Sequence, residues 1–134
     1  MSVETGFIAD THQGAVIVHR TGPTGKLFRM SMAPSEVARA KQIVNLALSM
    51  IELPAIPEFI TNSPFVVRFF GNGVCALERE DESASIPFRA AEGDKLVNTL
   101  EMALGICLNE QTQGRTVGSV GLAMPAGLAG NEPL

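Results

Sequence analysis

The sequence predicts an α+β fold built from two β-β-β-α halves, forming an antiparallel sheet with two helices packed on one face. Three observations predict it. Short β-branched and aromatic runs are separated by Gly, Pro and Asn turn signals in each half. Each set of runs leads into a longer segment of helical periodicity. The whole order then repeats, over about 5–52 and about 64–110. A chain of 134 residues suits one such domain, placed here at 1–115 and followed by a Gly/Pro-containing tail over 116–134.

In the first half, the short apolar stretch Gly6 to Thr11 ends at the turn-like His12-Gln13-Gly14, and Ala15 to Arg20 is β-branched. Gly22, Pro23 and Gly25 break the chain. Lys26 to Met32 then alternates, with Leu27, Arg29 and Ser31 on one side and Phe28, Met30 and Met32 on the other, as a strand with one buried face does. Pro34, Ser35 and Glu36 suit the first turn of a helix running to about Ile51. Its polar stripe is narrow, so it should meet both a sheet and another helix.

Pro54 and Pro57 mark Leu53 to Ser63 as the link between halves, with Phe59-Ile60 able to add a short edge strand. Pro64 to Phe70 is strongly apolar. Asn72-Gly73 signals a hairpin, because a type I′ turn needs positive φ at both central residues. Val74 to Glu80 returns, and Ala84 to Arg89 is a third strand that Pro87 assigns to an edge. Asp94 is placed as the cap of a second helix reaching about Asn109. The likeness of the two helical segments is mainly one of pattern, with a shared Val-Asn pair at Val44-Asn45 and Val97-Asn98. Thr116 to Met124 reads as one more short strand before the tail.

The net charge is −4, from ten basic and fourteen acidic residues, which gives no global attraction to nucleic acid. Trp and Tyr are absent, so seven Phe, six Met and the aliphatics must carry the packing. Two isolated cysteines, Cys75 and Cys107, fit neither a disulfide framework nor a zinc site and read as buried thiols of a reducing compartment. The amino terminus carries no secretory pattern, and no apolar run nears the roughly 18 residues of a membrane span. The cytoplasm is the expected location.

No nucleophile–base constellation is visible, so the chain is expected not to be an enzyme and to need no cofactor. His12 beside Asp10 reads as a surface turn. Glu78, Glu80, Asp81 and Glu82 lack calcium-loop spacing, and no metal is expected. Thr21 to Lys26 is followed by Leu27 rather than Ser or Thr, which rules out a phosphate-binding loop.

The remaining candidate is a set of basic residues on strands. Arg20, Lys26, Arg29, Arg68, Arg79 and Arg89, with Phe70, could present cations between apolar groups on an open sheet face, a mixture suited to single-stranded DNA or RNA. Alternatively the arginines pair with carboxylates across strands. In arrangement alone, the duplicated unit is similar to the Whirly-type and Pur-alpha-type nucleic-acid-binding folds, which use four strands per helix where three are counted here. The expected function is that of an oligomeric binding protein. Its partners would be a second copy of itself and single-stranded nucleic acid, or alternatively another protein in an assembly or inhibitor complex, or a small molecule.

Overall fold

The computed structural model describes residues 6–22 and 24–119, with side chains through residue 112. Among them are strands β1 (Ile8–His12), β2 (Ala15–Thr21) and β3 (Leu27–Met32), then a 3₁₀ turn (Pro34–Glu36) and helix α1 (Val37–Met50). The second half holds β4 (Phe59–Asn62), β5 (Phe65–Gly71), β6 (Val74–Arg79), β7 (Ser85–Arg89), a second 3₁₀ turn (Ala90–Glu92) and α2 (Gly93–Ser119). The fold is α+β with repeated β-β-β-α units. The single sheet expected from sequence is instead two antiparallel sheets, β1-β2-β3 and β4-β5-β6-β7, whose edge strands β3 and β7 lie side by side without a shared ladder. Pro87, which has no N–H to give, sits in β7 at that edge.

Each helix follows one sheet in the chain and packs on the other. α1 leaves β3 to lie on β4 and β5; α2 leaves β7 to lie on β1 and β2, and the two helices touch. This crossing explains the wide apolar arc of α1. Its buried residues Val37, Ala40, Ile43, Val44 and Ala47 share one core with Val16 and Val18, Met30 and Met32, Phe65 and Val67, Cys75 and Leu77, Ile86 and Phe88. Full burial of each large apolar side chain contributes about 1.5–3 kcal/mol. The helices approach closely enough that a Cβ added at Gly93 would overlap the Leu48 side chain.

The Asn72-Gly73 hairpin obeys the turn chemistry read from sequence, and the turn-like Gln13-Gly14 takes the same form. Gln13-Gly14 has φ of 52° and 80°, and Asn72-Gly73 has φ of 56° and 75°, the left-handed conformation a type I′ turn demands. Strand registers then fix how the halves correspond. Val16 faces Thr11 and Met32 as Cys75 faces Phe69 and Phe88, and Val18 faces Ala9 and Met30 as Leu77 faces Val67 and Ile86. Thus β1, β2 and β3 match β5, β6 and β7, and β4 is additional. In the helices, the match aligns Ala40, Val44 and Ala47 with Leu96, Leu100 and Ala103, all buried. The shared Val44-Asn45 and Val97-Asn98 pairs do not occupy corresponding positions in this match, which sets Val44 against Leu100.

Other boundaries also shift. Helix capping falls to glutamates of the 3₁₀ turns: Ala33 N donates to Glu36 Oε1 and Arg89 N to Glu92 Oε1, each at 2.9 Å. Asp94 lies inside the first turn of α2. α2 runs to Ser119 rather than ending near Asn109, so the strand expected over Thr116 to Met124 overlaps its last turn. The rest of that segment, and the tail from 120 onward, lie outside the described residues.

The same two glutamates tie the halves together. Arg20 of β2 forms a two-pronged pair with Glu92, at 3.0 and 3.1 Å, and its Nη1 also donates to Pro87 O at 3.1 Å. Arg79 of β6, the counterpart of Arg20, pairs with Glu36 at 3.3 and 3.2 Å and donates to Ser31 O at 3.3 Å. Each guanidinium rests on an equivalent ring, Arg20 4.5 Å from the Phe7 centroid and Arg79 5.3 Å from that of Phe65. The hydrogen bonds cross from one sheet to the opposite edge strand or its 3₁₀ turn, while each ring lies in, or just before, a strand of the arginine's own sheet.

Arg20 is only 5% exposed, against 18% for Arg79. Replacing one partner of a buried pair leaves the other charge uncompensated, so Arg20→Met is expected to lower stability by about 3–5 kcal/mol in chemical denaturation, and Arg79→Met by less. Glu36 adds a pH signature. The hydrogen bond from Arg79 is the main influence holding its carboxyl below the ordinary value of 4.5, helped by the Ala33 amide and opposed by burial. A lowered folded-state pKa adds stability above the unfolded-state value and loses it as pH falls through the folded one. Wild-type stability should therefore fall more steeply below pH 4.5 than that of Glu36→Gln, as read by urea titrations across acid pH.

Candidate ligand-binding face

Period-two alternation gives each sheet an inner face toward the helices and an outer face away from them. Arg20 and Arg79 do not reach the outer face. They share the inner one with Val18 and Leu77, at its margins, and are committed to the contacts between halves. The sequence placed both among residues of an open face, and the register corrects this.

Arg68 does lie outward. It stands in a row with Phe59, Ala76 and Pro87, its Nε 2.8 Å from Glu78 Oε1 and its Cζ 5.6 Å from the Phe59 centroid. The salt bridge holds the guanidinium flat over a half-exposed ring. One row further on, Val74 faces Arg89, and Phe70, 62% exposed, stands where β5 ends at the Asn72-Gly73 turn. Arg89 and Arg29 are exposed and have no carboxylate partner among the described residues. Arg29 occupies the outer face of the other sheet, opposite His19. Lys26 precedes β3, with its Nζ 5.1 Å from the Phe28 centroid.

The seam between β3 and β7 opens at this end into a cavity of about 220 Å³. Gly22, Thr24 and Phe28 line one side, Val74, Pro87 and Arg89 the other, and the Arg20–Glu92 pair lines it as well. Arg89 of the four-stranded sheet is thus brought near the start of β3, while Arg68 and Phe70 stand on β5, further from the seam. Phe59 belongs with them and was missed from sequence, because its place opposite Arg68 depends on the β4–β5 pairing.

The acidic run has a structural use instead. Glu78 holds Arg68, Glu80 accepts from Ser63 Oγ at 2.6 Å, and Asp81 Oδ1 accepts the Ser83 amide at 2.9 Å, closing the β6–β7 turn. Asp10 likewise accepts its neighbour Thr11 N. Among the described residues no group of three or more His, Cys, Asp or Glu side chains could hold a metal, and no helix is long and apolar enough to cross a membrane.

Cys75 and Cys107 are buried and unbridged. Burial pushes the Cys75 thiol up to about 11, so little nucleophilic thiolate exists near neutral pH. Thiol-labelling reagents should leave both cysteines unmodified in the native protein and react on unfolding, as read by intact mass. No protein-family model matches the chain, and no curated protein matches its sequence.

Proposed function

We propose that this chain is a non-catalytic binding protein that takes single-stranded nucleic acid on the outer face of its four-stranded sheet. The footprint is Phe59, Arg68, Phe70 and Arg89, extended by Lys26 and Arg29 on the neighbouring sheet. It is narrower than the set drawn from sequence, because Arg20 and Arg79 hold the fold together. The observation that carries this reading is Phe70, a widely exposed ring on the outer face that also bears Arg89, whose guanidinium has no carboxylate partner among the described residues. An open aromatic next to a cation suits a base stacked over the ring and a phosphate on the charge. Phe59, already stacked under Arg68, offers a second such platform.

Anisotropy titrations with a short labelled oligothymidylate, run across ionic strength, test the reading. Arg89→Ala should reduce the salt dependence by about 0.7 in log–log slope, one phosphate contact on a single strand. Phe70→Ala should weaken binding by about 1–3 kcal/mol at unchanged slope. Absence of binding even at low salt overturns the proposal.

A further inference from the structure

The additional strand β4 shows what the other half of the molecule leaves open. β4 closes the edge of β5: Phe69 N donates to Glu58 O at 3.0 Å, just before β4 begins. It is also tied to α1, where Asn62 Nδ2 reaches Arg39 O at 3.2 Å and Gln42 Oε1 at 3.3 Å. β1 corresponds to β5 by register, yet among the described residues no strand lies on its outer edge. The alternation that turns the Phe69 amide toward β4 turns the main chain of Phe7, Ala9 and Thr11 outward from β1. Thr11 N is satisfied locally by Asp10 Oδ1 at 2.8 Å.

The helix beside this edge presents a comparable flank, whose α1 counterpart keeps Leu46 48% exposed even beside β4. The positions of α2 that match Arg39, Gln42, Leu46 and Met50 of α1 are Lys95, Asn98, Met102 and Ile106, all exposed. Met102, at 61%, is among the most exposed large apolar side chains of the described residues.

We propose that the β1 edge and the Lys95, Met102 and Ile106 flank of α2 accept an extended strand from a partner protein. That strand carries an apolar side chain where β4 has Ile60 and an acidic one where β4 has Asn62. The apolar group packs beside Met102 and Ile106, and the carboxylate meets Lys95. Open edge strands bind such segments through main-chain hydrogen bonds, with alternate side chains setting specificity. A second copy offering its own β1 fits poorly. Its inward side chains near the centre are Ala9, too small to cover Met102 and Ile106, and Thr11, whose hydroxyl is bound to Glu110 at 2.6 Å.

The probe is a labelled, end-blocked peptide, Glu-Phe-Ile-Thr-Glu, which is the β4 segment with the Asn62 position made acidic. It is titrated into the full chain and followed by anisotropy. Saturable binding is expected. N-methylation of the isoleucine, which keeps the side chain and removes the strand donor, should weaken it at least about tenfold. Met102→Asp should weaken it about tenfold, equivalent to about 1.4 kcal/mol, with an unchanged melting curve because the residue is exposed. Lys95→Glu should also weaken it, and a peptide ending in Lys should restore it. No saturable binding, or binding indifferent to N-methylation, overturns the proposal. A full-chain dimer that Met102→Asp converts to monomer also overturns it, by assigning the edge to a second copy.

Discussion

Two guanidinium–carboxylate pairs between the halves are the constraint on which the rest of this structure depends. β3 and β7 meet as neighbouring edges without exchanging ladder hydrogen bonds. With no ladder between them, Arg20 and Arg79 supply donors to the edge-strand carbonyls Pro87 O and Ser31 O. The same side chains neutralise Glu92 and Glu36, which in turn satisfy main-chain amides where the chain leaves each edge strand for a helix. Seam, helix start and sheet margin are therefore one connected polar network in each half.

Because the contacts are reciprocal, neither half can be regarded as a unit on its own. Each helix covers the other half's sheet, and each arginine reaches the other half's glutamate. The core is accordingly shared, with Phe65, Phe88, Met30 and Leu100 in one cluster. Using the inner-face arginines in this way leaves the outer face with few cations, and those gather near the Phe70 end while the carboxylates of the β6–β7 turn lie at the other. The candidate binding face is a consequence of which arginines the seam has already taken.

The departures from two-fold correspondence are where interaction surfaces arise. β4 exists in one half only. It brings Phe59 beneath Arg68 on the outer face and covers the edge of β5. Its counterpart position beside β1 is unfilled among the described residues, with Met102 and Ile106 exposed alongside. One added strand thus explains both the aromatic platform and the open edge.

Element types and their order were legible in the sequence. Alternation in Lys26 to Met32, positive-φ turn residues at Gln13-Gly14 and Asn72-Gly73, and Pro34 at a helix start are local signals, and local sterics decide them. Pro87 marked an edge strand for the same reason, since a missing N–H is a property of the residue alone. The residue-by-residue helix alignment was not legible: the shared Val-Asn pairs do not correspond in space, because identity alone ignores which residues are buried.

The sequence by itself thus determined the types and order of the elements as far as the start of α2 and their repetition, set by short-range backbone preference and the period of apolar residues, but not where α2 ends. Only the tertiary structure decided that the sheet is divided, that the helices exchange sheets, and that Arg20 and Arg79 face inward while Arg68, Arg89 and Phe70 face outward. Those outcomes depend on partners far apart in the chain, Arg20 with Glu92 and Arg79 with Glu36, and an arginine on an alternating strand looks the same from sequence whichever face it takes.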